Sequence, residues 1–290
     1  MSSKREVIAI VGATATGKST LSIRLAEKLS SEILSADSRL IYRGMDIGTA
    51  KPTLQEQIIA KHHLIDLIYP DQDFSLGAYL RLAEPLLENL LCAGKIPIVA
   101  GGTGFYLRGL LEDFCLTDTP PDQDFREGLK DISTADLYLH LQNPGWKIHA
   151  TDRARIIRAL ELERAGHLPQ KNSKKRDFTV KWYGLKYEKL EHQHRAIRQR
   201  VEAMIKAGLI EETQSLTAKY GELVLFEKTI GYKETLSYLR GDTSSIDDLI
   251  EAICISTNQY RKRQNTWFRA NKAIQWLSAE EPNLAFACSM

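Results

Sequence analysis

An α/β fold, a parallel sheet flanked by helices with a mainly helical insertion, is predicted by three observations. An apolar run rich in β-branched residues, Val7-Ile-Ala-Ile-Val11, passes through a glycine loop into a helical pattern. Short apolar runs return at 33–36 and 96–100 with a helical stretch between them, which is the alternation of a parallel sheet covered on both faces. Beyond Asp122, helical spacing continues without strand runs between the helices.

Taken in order, the first helix covers 19–29 and places Leu21, Leu25, Ala26 and Leu29 on one side. A helix at 76–93 links the second and third strands. The Pro- and Asp-rich turn at 117–122 marks a boundary, and helices are expected at 122–141 and 152–165. Residues 172–176 form a polar basic loop. A helix at 191–207 is closed by Gly208, and a last long helix covers 246–270. The expected division is a core of 1–120 with 205–290 and a helical, basic insertion at 121–204.

The 290 residues are 43% apolar and 26% charged, enough for a full core and too apolar for a disordered tail. A net charge of +2 says nothing about a polyanionic partner, but its distribution does. Residues 1–120 carry 12 basic and 14 acidic side chains, whereas 145–206 carry 16 and 7. A polyanion is therefore expected at the middle of the chain. Cys92, Cys115, Cys254 and Cys288 form no Cys-x-x-Cys pair, which fits a reducing compartment and disfavours a zinc site. The N-terminal apolar run is too short for a signal core, and no run is long enough to span a bilayer. The expectation is a cytoplasmic protein without membrane contact.

Gly12-Ala13-Thr14-Ala15-Thr16-Gly17-Lys18-Ser19 fits G-x-x-x-x-G-K-[ST] between a buried strand and a helix, so the core is of the P-loop type. Backbone N–H groups and the helix N-terminus would face phosphate oxygens, Lys18 would add a charge, and Ser19 would offer its hydroxyl to Mg²⁺. The loop fixes a diphosphate, whether from ATP or another donor, and leaves the reaction open. The strand at 96–100 runs into Gly101-Gly-Thr103-Gly, not the acidic residue of a motor ATPase. Asp37, after the second strand, is placed to bind metal, accept a proton or simply cap the turn at Ser38 and Arg39. Thr103 either faces the diphosphate or satisfies its own turn. The pairs His62, His63 and His192, His194 point in different directions and suit structural roles better than metal binding.

With these blocks stand Ser35-Ala-Asp37-Ser38-Arg39-Leu40, Gly44-Met-Asp-Ile-Gly-Thr-Ala-Lys51-Pro52, Ile230-Gly-Tyr232 and Lys262-Arg263-Gln264-Asn-Thr266-Trp267-Phe-Arg269. Together they resemble the tRNA dimethylallyltransferases (tRNA isopentenyltransferases) of the bacterial type over nearly the whole chain. The resemblance implies transfer of a dimethylallyl group from dimethylallyl diphosphate to N6 of the adenosine 3′ to the anticodon, in tRNAs reading codons that begin with U. It implies Asp37 as general base, Thr103 at the reacting centre, and Lys18 with the loop and Mg²⁺ on the leaving diphosphate. Lys228 stands where the family often has Arg, keeping the charge without the bidentate fork.

The resemblance also implies tRNA contacts from Asp37, Ser38, Arg39, Leu40 and Thr103, from Arg126, and from Ala154, Arg155, Ile156, Ile157 and Arg158. Further tRNA contacts are implied for Lys262, Arg263, Gln264, Thr266, Trp267 and Arg269. Arg155 and Arg158 share a helix face suited to phosphates, and the last group mixes cations with an aromatic ring. The expected partner is the tRNA anticodon stem-loop, and the expected state a monomer. Ala13, Thr16 and Thr151 depart from the family's usual Pro, Ser and Asn. Three other readings share parts of the pattern: a P-loop small-molecule or nucleotide kinase, a relative that prenylates free AMP, and an RNA-binding protein with a vestigial loop. The basic insertion and the cationic-aromatic block near the C-terminus argue against the first two, because a small substrate needs neither, and intact Lys18, Ser19 and Asp37 argue against the third.

Overall fold

The computed structural model describes residues 5–113, 119–167 and 175–280. The chain divides into two compact units, Met1–Glu112 with Arg176–Met290 and, inserted between these segments, Asp113–Lys175.

The first unit opens with β1 (Glu6–Gly12), α1 (Lys18–Lys28), β2 (Ile33–Ser35), α2 (Leu54–Ile59), β3 (His62–His63), α3 (Leu76–Cys92), β4 (Ile98–Ala100) and α4 (Gly104–Leu111). The inserted unit holds α5 (Gln123–Gly128), α6 (Thr134–Leu139) and α7 (Arg153–Arg164). The chain then returns to the first unit with β5 (Thr179–Lys186), α8 (Leu190–Lys206), α9 (Leu209–Tyr220), α10 (Val224–Glu227), α11 (Tyr232–Leu239), α12 (Ile246–Arg269) and β6 (Gln275–Ser278).

The six strands form one parallel sheet in the order β3-β2-β4-β1-β5-β6. Val7, Ile8, Ile10 and Val11 of central β1 are fully buried. Each such side chain contributes about 1.5–3 kcal/mol, so the strand leading into the phosphate loop is firmly anchored. Because all strands run the same way, Gly12, Asp37 and Gly101 emerge at one edge, the carboxyl edge where open α/β sheets hold ligands. A second core under α8, α9, α11 and α12 contains Ile197, Leu209, Phe226, Tyr232 and Leu249.

The inserted unit is shorter than the expected 121–204. Residues 179–186 form β5, paired with β1 from Glu6↔Thr179 to Gly12↔Leu185, and α8 packs beside α12 in the first unit. Lys181 and Lys186 interrupt the apolar pattern and disguise this strand, whose buried part is Trp182 to Leu185. The basic excess of 145–206 is therefore shared between the units. The single helix expected at 122–141 is two helices, because Asp122 caps Phe125 N–H at 3.0 Å and Ser133 caps Asp136 N–H at 3.1 Å. Leu137, Ile156 and Leu160 form this unit's small core. Residues 117 and 118 of the expected turn, 172–174 of the expected loop, Cys115 and Cys288 lie outside the described residues. Among the described residues, no helix is long and apolar enough to cross a membrane.

Candidate active site

The phosphate loop is held from within and from a distance. Gly17, at φ 84°, turns the chain into α1 with a conformation that other residues resist. Lys18 Nζ and Thr16 Oγ1 both donate to the Ala13 carbonyl, at 2.7 and 2.8 Å. Thr14 N–H donates to Gln264 Oε1 at 2.8 Å, while Gln264 Nε2 donates to the Gly102 carbonyl at 3.1 Å. One buried amide on α12 thus joins the loop to the turn after β4.

That turn meets the Asp37 segment at close quarters. A Cβ at Gly101 would lie 2.1 Å from the Ala36 carbonyl oxygen, so only glycine lets the two strand ends approach. Ser38 N–H donates to Thr103 Oγ1 at 3.0 Å, and Thr103 Oγ1 lies 3.3 Å from Ser38 Oγ. Asp37 Oδ1 accepts from Arg39 N–H at 2.9 Å, so the capping role exists, and Asp37 also lines a cavity with Lys18.

The cavity, about 410 Å³, is bounded by Thr14, Lys18, Ser19, Asp37, Ser38, Arg39 and Leu40, with Lys228, Arg263 and Gln264. Its remaining walls include the apolar side chains Ile197, Val201, Met204 and Ile253. It therefore pairs a phosphate-binding region with apolar wall, as a short-chain diphosphate would need. Burial and repulsion from Arg200 bring the Lys18 ammonium down to about 8, partly opposed by Asp37. Burial also lowers Arg200, again against the pull of Asp37, and raises the Tyr260 phenol. Tyr106, buried and facing Tyr42 and Asp37, is pushed up to about 12.

The predicted site residues divide accordingly. Gly12, Ala13 and Thr16 are buried and, with Ala15 and Gly17, shape the loop. Lys228 is exposed at the end of α10 and reaches the cavity from there. Lys262, Arg263, Thr266 and Arg269 are exposed on α12, although the Thr266 hydroxyl bonds back to the Lys262 carbonyl at 3.0 Å. Gln264 is buried and braces the loop and the turn from within, while also lining the cavity. Trp267 packs on Phe105 with ring centroids 4.7 Å apart and keeps only part of its surface open.

In the inserted unit, Ile156 is fully buried in the small core and cannot present its side chain to RNA. Arg126 binds Glu161 through two bonds of 2.6 and 3.0 Å, and Arg158 binds it at 2.9 Å while also donating to the Thr119 carbonyl. These two guanidiniums brace a buried carboxylate. Arg155 projects outward, its side chain 60% exposed, with Nε 3.3 Å from Asp152 Oδ2. Ala154 is exposed and Ile157 half-buried. The expected Arg155–Arg158 phosphate clamp is thus divided, one arginine outward and one inward.

The histidines are structural where bonds are seen. His62 Nδ1 pairs with the Ala60 carbonyl, His63 Nε2 lies 2.6 Å from Glu32, and His192 pairs with Glu280. Sequence reasoning missed Arg200 and Tyr260, both in the cavity wall. A usable signal existed for Arg200, since it follows Ile197 and precedes Val201 on the apolar side of α8.

Comparison with known proteins places this geometry. The family model described as IPP transferase matches residues 40–271, and one described as isopentenyl transferase matches 5–66. A tRNA dimethylallyltransferase of Pelotomaculum thermopropionicum is 39% identical, the match covering 96% of this chain and 92% of the relative. One from a Cyanothece species is 37% identical over 98% and 96%. Among solved structures, the Bacillus halodurans tRNA isopentenylpyrophosphate transferase aligns at TM-score 0.73 and 32% identity, covering 99% of this chain and 94% of that one. A eukaryotic dimethylallyltransferase acting on tRNA aligns at TM-score 0.81 and 28% identity, covering 95% and 74%. The likeness extends over nearly the whole chain in sequence and in fold, and the chain belongs to the IPP transferase family.

Proposed function

We propose that this protein transfers a dimethylallyl group from dimethylallyl diphosphate to N6 of the adenosine 3′-adjacent to the anticodon, in tRNAs reading codons that begin with U, and releases diphosphate. The observation that carries the reading is the shared cavity, in which Lys18 of the phosphate loop and the carboxylate of Asp37 face the same space beside an apolar wall. Phosphoryl transfer itself does not require that wall, whereas a prenyl chain does.

The allylic C–O bond breaks and its electron pair leaves with the diphosphate. The N6 lone pair forms the new C–N bond, and the N6 proton passes to Asp37. An exocyclic amine is a poor nucleophile, so Asp37 acts mainly by aligning N6 and accepting its proton as charge develops. Lys18 and the loop N–H groups hold the charge that gathers on the leaving group. Ser19, exposed on the cavity, would offer its hydroxyl to a Mg²⁺ that binds the phosphates and keeps several of its waters. Such an ion supplies further neutralisation of the diphosphate.

The target adenine leaves its stack to reach Asp37. Arg39, Arg263, Lys262 and Arg269 offer cations to the RNA backbone, and Arg155 offers one from the inserted unit. We assign the protein to the cytoplasm, as a monomer, in keeping with its free Cys92 and Cys254 thiols. The test is incubation with labelled dimethylallyl diphosphate and unmodified tRNA, followed by nucleoside analysis, with labelled ATP in parallel. Prenylated adenosine is the expected product. Transfer of label from ATP to any acceptor, with no prenylated nucleoside, would overturn the reading.

A further inference from the structure

Behind the cavity, one carboxylate gathers a set of donors that the mechanism has not used. Glu212, in the first turn of α9, accepts from Asp46 N–H at 3.0 Å, from Ile47 N–H at 2.8 and 3.1 Å and from Gly48 N–H at 3.1 Å, and the Tyr232 hydroxyl donates to it at 2.6 Å. Successive backbone N–H groups turned to one point make an anion-binding nest, filled here by the chain's own side chain. The Tyr232 ring closes on the same stretch, since a Cβ at Gly48 would lie 2.5 Å from it. Just beyond the nest Ala50 stands at φ 51°, a left-handed conformation that a residue with a Cβ keeps only when its surroundings impose it. Gly48, Thr49 and Ala50 line the cavity, whereas Glu212 and Tyr232 stand behind them and do not. Ile47, inside the nest, packs against the core that holds Ile197, Val201 and Met204 of the apolar cavity wall.

We propose that Glu212 is a positioning residue for the prenyl chain of the donor: by clamping residues 46–48 it fixes the part of the cavity wall against which that chain packs. This rests on the function proposed above, but names a residue outside the motifs that led to it. Glu212 touches no substrate atom and acts through the loop it holds. The chemistry favours a carboxylate, whose two oxygens offer about four acceptor sites and no donor, enough for three N–H groups and a hydroxyl at once. Without it those N–H groups face the protein unpaired, so the loop must turn them elsewhere and carry Gly48, Thr49 and Ala50 with it. The phosphates are held by a different segment, the loop around Lys18, and their binding does not depend on the clamp.

The competing role is a brace for the fold alone, and the experiment separates the two. Binding of dimethylallyl diphosphate and of inorganic pyrophosphate, each with Mg²⁺, is measured by calorimetry on the full chain for the wild type, Glu212→Ala and Glu212→Gln, beside the melting temperature. The ratio of the two affinities isolates what the prenyl chain contributes. Glu212→Ala should lower that ratio by about 3- to 30-fold, a part of the worth of burying a short apolar chain, with pyrophosphate affinity unchanged. Glu212→Gln should lie between, because one oxygen is kept while, whichever way the amide turns, its NH₂ meets backbone N–H groups, donor against donor. A lower melting temperature with the wild-type ratio kept makes Glu212 a brace only and overturns the proposal, as does equal weakening of both ligands. If the alanine variant fails to fold, the glutamine variant decides, and a wild-type ratio there is equally fatal. A wild type that binds the two ligands alike would sink the proposed function and the clamp's role with it, an outcome read without any variant.

Discussion

Lys18 works beside a second half-buried cation, Arg200, and that neighbour helps to make its charge depend on pH. Burial and the neighbouring Arg200 bring its ammonium down to about 8. A diphosphate favours the charged form and raises that value, so binding above about pH 8 takes up a proton. Between about pH 7, above the last ionisation of the diphosphate, and pH 8 the affinity for dimethylallyl diphosphate should therefore be flat, and it should fall by up to about tenfold per unit above pH 8. Calorimetry in buffers of different ionisation heat checks both the slope and the proton uptake. Asp37→Ala should lower turnover by about 10²- to 10⁴-fold, the usual worth of a general base, with tRNA affinity little changed. Single-turnover kinetics beside a binding titration distinguish that outcome from a lost RNA contact. The glycine loop and Asp37 were legible in the sequence because each follows a recognisable strand. For Arg200 only the inward position on α8 was legible and not its meaning, since the groups that give it one are Lys18 and Asp37, far away along the chain.

Elements were legible in proportion to the regularity of their apolar spacing. The strands at β1, β2 and β4 and the helices α1, α3, α7, α8 and α12 stand close to where periodicity put them. β5 and β6 did not declare themselves, because lysines divide the one and the other is a short edge strand with little buried surface. The helices α2, α4, α9, α10 and α11 went unassigned, several of them being one or two turns long. In the inserted unit, the tie among α5, α7 and Glu161 replaces the apolar packing that so small a core lacks. Burial disfavours the Glu161 carboxylate, but Arg126 and Arg158 outweigh that and keep its pKa low. Glu161→Gln should cost about 2 kcal/mol, less than a fully enclosed pair because both arginines are partly exposed. Urea denaturation followed by a probe in this unit, such as Trp146 fluorescence, reads the loss.

At the scale of the whole molecule, charge placement was legible and charge purpose only in part. Of the cations expected on RNA, Arg126 and Arg158 hold the fold, while Arg155 and the exposed cations of α12 stay outward. On the proposed function, Arg155→Ala should reduce the slope of log affinity against log salt by about one and leave dimethylallyl diphosphate binding untouched. An unchanged slope would remove this arginine from the RNA surface. The order of strands carries a different consequence, for synthesis. Central β1 receives β4 early but must wait for β5, its register beginning at Glu6↔Thr179, until the entire inserted unit has left the ribosome. Throughout that interval the nascent chain presents an unpaired strand edge with largely apolar side chains, the kind of surface that chaperones shield and aggregates recruit. Translation speed across the insertion thereby becomes a determinant of yield, independent of the final stability of the finished protein.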